Sequence, residues 1–285
     1  MSDVTRTQHS FVDAEGVTIH YYVWPASAPR GVVQLLHGVG EYATRYEVFA
    51  QALAASGYTV YADDHRGHGA TGLGQWGDDH AKLGRLGPGG VRAAIAAVEQ
   101  LTGIIRAENP ALPLALYGHS LGSLFAQKMI GADAARYDAV ILSATAYRTL
   151  FDMNGGDLNA RYRGPDATGH EWLSRDPAVW AAFASDPLTF DAKVLALFGL
   201  PDTLRLLGTP KRLNRDLPML IVIGSEDPLG GPKSIRKLAR AYETRGGLTD
   251  VTVTIYDGAR HETLNETNQA EVRADLIAWL DAHLG

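Results

Sequence analysis

Short, nearly continuous apolar runs alternate along this chain with segments in which apolar residues recur every three or four positions. The runs fit buried strands and occupy residues 31–36, 58–62, 114–117, 139–142, 218–223 and 251–256. The segment 91–108 shows the helical period, with Val91, Ile95, Val98, Leu101 and Ile105 on one side. This alternation predicts an α/β fold with a mostly parallel central sheet and helices on both faces.

Other segments complete this outline. Residues 9–24 contain two β-rich runs on either side of Gly16, which predicts a hairpin at a sheet edge. Further helices are predicted over 45–56, 121–130, 233–245 and 270–284. The stretch 63–90 is rich in glycine and aspartate, and it predicts a loop.

The alternation stops near Thr145 and resumes at Pro218. Residues 147–214 contain no convincing strand, but they carry many large apolar side chains, namely Trp172, Trp180, Phe183, Phe190, Leu195, Phe198, Leu204 and Leu207. A structureless loop of this length inside a compact domain would be unusual, so several short helices are expected. The predicted organisation is an α/β core of residues 1–146 and 215–285, with a helical cap (lid) insertion at 147–214.

Composition excludes several classes of function. The net charge of −6 and the absence of a lysine or arginine cluster argue against a nucleic-acid partner. The absence of cysteine excludes disulfides, thiolate catalysis and Cys-ligated metals. The first eight residues do not resemble a signal peptide, and no apolar run reaches the roughly 20 residues of a membrane span. We therefore expect a soluble, cytoplasmic protein without a cofactor and without stable membrane insertion; its oligomeric state is left open.

The most informative motif is Gly118-His-Ser-Leu-Gly122, a G-x-S-x-G pattern between a predicted strand and a predicted helix. In this context the motif is typical of a nucleophile elbow, in which the serine occupies a strained turn and its hydroxyl stands above the sheet. Gly118 and Gly122 lack a Cβ, so the strand and the helix can approach closely. Ser120 is therefore the candidate nucleophile, whereas the motif alone could mark a plain turn.

Ligands of open α/β sheets bind at the carboxyl ends of the strands. The ends of three predicted strands carry Ser120, Asp227 and His261, in the chain order of an α/β-hydrolase triad. We predict His261 as the general base and Asp227 as the acid that orients it. The alternatives are His283, near the C-terminus of a surface helix, and Glu226, the neighbour of Asp227.

Acyl transfer also needs donors for the oxyanion. The backbone N–H of Leu121, directly after the nucleophile, is one candidate. The second donor should come from a loop after an earlier strand, and the glycine-flanked Val39 is the candidate there. A metal site built from Asp64, His65, His68, Asp78, Asp79 and His80 is a weak alternative, so no metal is expected. Pairing between Arg66 and Asp64 is expected to fix that loop instead.

Five stretches carry a family resemblance: His37-Gly-Val-Gly-Glu-Tyr-Ala-Thr-Arg-Tyr46, Asp64-His-Arg-Gly-His-Gly69, Gly118-His-Ser-Leu-Gly122, Gly224-Ser-Glu-Asp227 and Gly258-Ala-Arg-His-Glu262. Together they resemble the monoacylglycerol lipase and lysophospholipase-like branch of the α/β-hydrolases. The resemblance covers nearly the whole chain and is weakest in the predicted cap. It implies Ser120 as nucleophile, Asp227 as acid and His261 as base, with Val39 and Leu121 as oxyanion donors.

The leading hypothesis is a serine carboxylester hydrolase that acts on a small-molecule monoester, such as a monoacylglycerol, through an acyl-enzyme. Substrate-binding residues are expected within 147–214, because apolar side chains there suit an acyl or alkyl pocket. Arg148, Arg161 and Arg163 raise the narrower hypothesis of a half-ester of a dicarboxylic acid. Other triad chemistries (peptidase, thioesterase, C–C hydrolase, acyltransferase) and a non-catalytic ligand receptor remain open alternatives.

Overall fold

The computed structural model describes residues 4–285. Residues 1–3, at the start of the stretch expected to lack signal-peptide character, lie outside the described residues. One sheet contains eight strands: β1 (Thr7–Val12), β2 (Thr18–Trp24), β3 (Gly31–Leu36), β4 (Tyr58–Asp63), β5 (Leu114–His119), β6 (Ala139–Ser143), β7 (Met219–Gly224) and β8 (Val251–Tyr256). Their order across the sheet is β1-β2-β4-β3-β5-β6-β7-β8. Strand β2 pairs antiparallel with both neighbours, and all other pairs are parallel. The predicted fold class and the edge hairpin are therefore confirmed.

Helices cover both faces of the sheet. They are α1 (Glu47–Ala55), α2 (Gly69–Trp76), α3 (Gly90–Glu108), α4 (Leu121–Asp133), α5 (Pro177–Ser185), α6 (Val194–Leu206), α7 (Gly231–Ala241) and α8 (Gln269–Leu284). Buried residues of α3, α4 and α7 form one hydrophobic core with the sheet, and those of α1 and α8 form a second core. Strands β3, β5 and β7 are buried along their whole length, as expected for the interior of a parallel sheet covered on both faces.

The prediction of a continuous loop over 63–90 is wrong, because α2 lies within it. Glycines at 69, 72 and 74 lower the helix propensity of this segment, and tertiary contacts outweigh that penalty. A Cβ on Gly72 would lie 2.5 Å from the carbonyl carbon of Gly67, so the close approach requires glycine. Thr71 accepts a hydrogen bond from His20 N–H, which ties α2 to strand β2.

Residues 147–214, all of them described, contain helices α5 and α6, a short 3₁₀ turn at Ala160–Tyr162 and no strand. Helix α6 is interrupted at Gly199, which has φ 74° and is followed by Pro201. Trp172, Leu173 and Phe183 form a small separate apolar cluster in this segment. Throughout residues 4–285, no helix is long and apolar enough to cross a membrane.

Candidate active site

Ser120 lies in the turn between β5 and α4. Its backbone has φ 49° and ψ −117°, a conformation that a non-glycine residue adopts only under strain. A Cβ on Gly118 would lie 2.6 Å from the carbonyl oxygen of Gly122, and a Cβ on Gly122 would lie 2.3 Å from that of Leu36. Both glycines are therefore required by the close packing of the strand and the helix.

Neighbouring backbone groups hold this strained turn in place. Ser120 N–H donates to the carbonyl of Ser143 at the end of β6 (3.0 Å), and Ser123 Oγ donates to the carbonyl of Ser120 (2.6 Å). Helix α4 begins at Leu121, so its N-terminal N–H groups favour negative charge beside Ser120. The turn thus combines a fixed hydroxyl with a helix terminus suited to an oxyanion.

The side chains of Asp227 and His261 are brought together from the loops after β7 and β8. Nδ1 of His261 lies 3.0 Å from each carboxylate oxygen of Asp227. Asp227 also accepts a hydrogen bond from Leu229 N–H (2.8 Å), which fixes the carboxylate within its turn. Asp227 is 4% exposed and His261 is 1% exposed. The alternative acid Glu226 pairs with Arg161, and the alternative base His283 pairs with Asp250, so neither takes part in this pair.

The environment of His261 suits a general base. Burial alone would lower its pKa, but the charge and hydrogen bond of Asp227, with further contributions from Glu262 and Glu41, raise the pKa above its usual value. Among the described residues, His261 Nε2 has no hydrogen-bond partner, so Ser120 is not bonded to it in this state. Such a bond commonly forms only when substrate binds.

The loop that follows β3, residues 37–42 and called the Val39 loop below, packs directly against Ser120. A Cβ on Gly38 would lie 3.1 Å from the Cβ of Ser120. The N–H groups of Val39 and Leu121, the two predicted donors, bond to no backbone carbonyl within the described chain. Ser120, the Val39 loop and the Asp227–His261 pair therefore occupy one edge of the sheet, at the carboxyl ends of β3, β5, β7 and β8.

The predicted pairing of Arg66 with Asp64 is wrong. Arg66 Nε lies 3.3 Å from Asp13 Oδ2 at the β1–β2 hairpin, whereas Asp64 accepts from the N–H groups of Ala43 and Ala70. Arg66 and Asp64 are both fully buried, so each joins a different pair of segments. Their partners are separated along the chain, which is why local spacing did not reveal them.

The other polar residues of the 64–80 region bind protein groups rather than one another. His65 Nδ1 lies 2.7 Å from Asp63 Oδ2, and His80 Nδ1 lies 2.8 Å from the carbonyl oxygen of Pro187. Asp79 accepts from Ala81 N–H and pairs with Lys82. Within residues 4–285, no three histidine or acidic side chains are arranged to hold a metal ion.

The 147–214 segment covers the edge where these residues meet. The ring of Trp172 lies 4.8 Å from the ring of His261, and the carbonyls of Trp172 and Leu173 accept hydrogen bonds from the backbone of the His261 loop. A cavity of about 810 Å³ lies within this segment and is lined by Leu158, Gly164, Trp172, Ala192, Val194 and Leu195, among others. Trp172 therefore belongs both to the cavity wall and to the surroundings of His261.

The three arginines of the half-ester hypothesis all have intramolecular partners. Arg161 pairs with Glu226 (2.8 Å), and Arg163, at the cavity, pairs with Asp157 (2.7 Å). Arg148 is buried and donates to Gln127 and to the carbonyl of Leu206. Arg161 and Arg163 lie at the surface, where ion pairs are weak, whereas Arg148 is held inside the protein.

Three residues near the site had no role in the sequence-based assignment. Glu41, in the Val39 loop, and Tyr46 are buried, and Trp172 contacts His261. Glu41 and Tyr46 do lie in the stretch 37–46, which carries part of the family resemblance. That stretch was the feature of the sequence that could have pointed to them. Nothing in the local pattern around Trp172 distinguished it from other apolar residues of 147–214.

This sheet topology, with a serine elbow and an Asp–His pair at adjacent strand ends, defines an α/β-hydrolase of the serine hydrolase class. The family model described as serine aminopeptidase, S33 matches residues 27–268, and the chain belongs to that family. It is 33% identical to the monoacylglycerol lipase of Mycolicibacterium smegmatis, with all of both chains covered, and 27% identical to the human monoglyceride lipase, with 88% of this chain and 82% of the relative covered. Its fold is similar to that of a thermostable carboxyl esterase from Bacillus coagulans (TM-score 0.83, 23% identity, 99% of both chains covered). The protein is a serine ester hydrolase.

Proposed function

We propose that this protein hydrolyses monoacylglycerols to a fatty acid and glycerol, with Ser120, His261 and Asp227 as the catalytic triad. The observation that carries the proposal is the buried Asp227–His261 pair, at 3.0 Å, beside the strained Ser120 turn. The full-length similarity to a monoacylglycerol lipase supports the choice of substrate.

In the proposed mechanism, Ser120 Oγ attacks the ester carbonyl while His261 Nε2 takes its proton. Asp227 holds the proton of His261 on Nδ1 and stabilises the imidazolium that forms. The N–H groups of Val39 and Leu121 stabilise the oxyanion. His261 then gives its proton to the leaving glycerol oxygen. Water, activated by the same histidine, finally releases the fatty acid from Ser120.

We further propose that residues 147–214 form a cap whose cavity receives the acyl chain. The cavity volume of about 810 Å³ lies within the range of roughly 300–1,000 Å³ that is usual for ligand pockets. Its charged residues pair with each other, Arg163 with Asp157 and Lys193 with Asp191, which suits a neutral ester. A cytoplasmic location remains a prediction from sequence.

The test is an activity panel with monoacylglycerols of several chain lengths, diacylglycerols, aminoacyl anilides and acyl thioesters, using the wild type and Ser120→Ala. We expect glycerol release from monoacylglycerols by the wild type and none by Ser120→Ala. A fluorophosphonate probe should label the wild type and not the variant. Hydrolysis of the anilides alone would instead establish a peptidase, and ligand binding without any turnover would establish a receptor.

A further inference from the structure

Both backbone polar groups of Gly38 are held by buried side chains. Its N–H donates to Glu41 Oε1 at 2.5 Å, and its carbonyl lies 2.7 Å from His37 Nδ1. The other ring nitrogen of His37 accepts a hydrogen bond from His65 N–H at 3.0 Å, so it carries no proton. Burial and the neighbouring histidines hold the pKa of His37 well below its usual value. The neutral ring therefore donates from Nδ1 to the carbonyl of Gly38.

This arrangement determines the direction of the Val39 N–H. In a trans peptide the C=O of Gly38 and the N–H of Val39 point in opposite directions. Because the carbonyl is bound to His37, the N–H of Val39 must point away from that ring. An oxyanion donor is effective only when it is oriented before the charge develops.

Glu41 is itself held firmly. It is 4% exposed, and the oxygen that accepts from Gly38 also accepts from the hydroxyl of Tyr46 at 2.7 Å. The same oxygen lies 3.9 Å from His119 Nε2. Burial and the nearby His261 lower the pKa of His119 to about 3, so its ring is neutral at ordinary pH. Glu41 therefore makes its two direct hydrogen bonds to Gly38 and Tyr46 rather than an ion pair.

The space around this carboxylate leaves no room for another residue at position 38. A Cβ on Gly38 would lie 2.6 Å from Glu41 Oε1 and 3.2 Å from the ring of His119. Glycine at 38 and glutamate at 41 therefore fit each other. This explains physically why the two residues occur together in the His37-Gly-Val-Gly-Glu41 stretch.

We propose that Glu41 is a positioning residue for the oxyanion hole. Its carboxylate, anchored by Tyr46, fixes the N–H of Gly38 while His37 fixes the carbonyl, and the two together orient the Val39 donor. The inference rests on the proposed function, since it takes Val39 as an oxyanion donor. The direct hydrogen bonds of Glu41 are to Gly38 and Tyr46, so we expect it to act through Gly38 and not on the substrate.

The experiment compares the wild type, Glu41→Ala, Glu41→Gln and Asp138→Ala. Asp138 is a matched control, since its carboxylate also accepts from a backbone N–H (Leu114, 2.8 Å), but at the opposite end of β5 from Ser120. Each protein is assayed for kcat and KM with a water-soluble monoacylglycerol. The affinity of each for a short alkylboronic acid, which forms a tetrahedral adduct with a nucleophilic serine, is measured alongside. Thermal unfolding reports any loss of folded protein.

Glu41→Ala should lower kcat by on the order of 100-fold, with KM little changed. The affinity for the boronic acid should fall in parallel, because its anionic oxygen would occupy the same hole. Glu41→Gln retains an acceptor for Gly38 and should recover most of both losses. Asp138→Ala should lower the melting temperature while leaving kcat and boronic acid affinity unchanged.

Full kcat and full boronic acid affinity in folded Glu41→Ala would overturn the proposal, as would a loss of both that Asp138→Ala reproduces. If Glu41→Ala does not fold, Tyr46→Phe replaces it, because that change removes one of the two hydrogen bonds to Oε1. We then expect a loss of about fivefold in kcat, the usual effect of one hydrogen bond, and no loss would overturn the proposal. A wild type that neither hydrolyses esters nor binds the boronic acid would instead refute the proposed function.

Discussion

The edge of the sheet that carries the proposed triad, formed by the carboxyl ends of the strands, differs from the 147–214 segment in how firmly its residues are held. At this edge, Asp227, His261 and Glu41 are each 5% exposed or less. Asp227 bonds to His261 across two loops, and Glu41 bonds to Gly38 within its own loop. In the 147–214 segment, the separate apolar cluster has only three buried members. Phe151 is 98% exposed and Leu150 is 72% exposed.

This difference indicates a division of roles. A triad requires fixed geometry, which a densely hydrogen-bonded sheet edge supplies. A segment with few buried contacts opens at lower free energy and tolerates change, which suits the selection and admission of substrate. Substitutions at the sheet edge should therefore change kcat for every substrate. Those in the proposed cap should change the relative rates among substrates.

The largest effect is expected for Asp227→Asn. The amide can donate a hydrogen bond to His261 Nδ1, which would place the imidazole proton on Nε2 and leave it unable to accept from Ser120. A substitution of this type costs about 10⁴-fold in kcat in the Ser-His-Asp template. Steady-state kinetics with short and long monoacylglycerols should show the same loss for both.

Asp216→Asn is the matched control. Like Asp227, Asp216 accepts a hydrogen bond from a backbone N–H, here that of Thr249, and it also accepts from the Thr249 hydroxyl, but it lies on the surface. We expect it to retain full activity. A loss in Asp227→Asn of less than tenfold, or one confined to long chains, would remove Asp227 from the triad.

The next effect concerns pH. Because the pKa of His261 is raised above 6.5, kcat/KM should be highest above that pKa, where the ring is neutral. It should fall about tenfold for each pH unit below the pKa, since the imidazolium cannot accept the Ser120 proton. Glu262→Gln removes a negative charge that favours the imidazolium. The acid limb should therefore move to lower pH, and a shift to higher pH would contradict this assignment.

Two further charged groups help to interpret that profile. Glu243→Gln, in the turn after α7, should leave the acid limb unchanged, because Glu243 is not among the groups that shift His261. Arg45 pairs with Glu262 at 3.1 Å, so its positive charge remains near His261 in Glu262→Gln. Because that charge is present in both proteins, the shift of the acid limb reports the loss of the Glu262 charge.

Sequence pattern predicted the sheet edge better than the 147–214 segment, for physical reasons. Strands 31–36 and 251–256 were predicted to the residue. The first is a buried apolar run, and the second is rich in β-branched residues. The order Ser120, Asp227, His261 followed from the strand ends. The contact of Trp172 with His261 could not be predicted, since it depends on how an irregular segment packs.

The failures near the site have a common origin. Helix α2 and the partners of Asp64 and Arg66 depend on segments that are distant in sequence. Glu41 lies in a stretch that carries the family resemblance, but its proposed role depends on the direction of the peptide group between Gly38 and Val39. Local pattern reports burial and turns, whereas hydrogen-bond partners between loops are set by the tertiary structure.

The third prediction tests the proposed cap. Gly164 lines the cavity, and a Cβ there would meet no atom within 4 Å, so Gly164→Trp can be accommodated. The indole should shorten the space for an acyl chain and lower kcat/KM for long-chain monoacylglycerols by about tenfold, while acetyl esters are unaffected. Gly131→Trp is the matched control, since a Cβ on Gly131 in α4 also meets nothing within 4 Å and lies outside the cavity. An equal loss of kcat/KM for all chain lengths would contradict the proposal that the 147–214 segment selects the substrate.

The smallest effect is expected where the two regions meet. The hydroxyl of Tyr42, in the Val39 loop, donates to Asp186 Oδ2 in the 147–214 segment at 2.6 Å, and Phe190 N–H donates to the carbonyl of Gly40 at 3.2 Å. Burial and the bond to Asp186 raise the pKa of Tyr42 to about 12, so its hydroxyl remains a donor at working pH. These contacts join the proposed cap to the loop after β3, which carries the proposed Val39 donor.

Tyr42→Phe should therefore lower kcat about fivefold, equivalent to one hydrogen bond of about 1 kcal/mol, for short and long chains alike. A double-mutant cycle with Asp186→Ala separates this bond from other effects of each change. If the bond aligns the oxyanion loop, Tyr42→Phe in the Asp186→Ala background should cost little further. Additive losses would mean that the two side chains act independently. A loss confined to long chains would place Tyr42 with the substrate-selecting segment instead of with the edge of the sheet that carries the proposed triad.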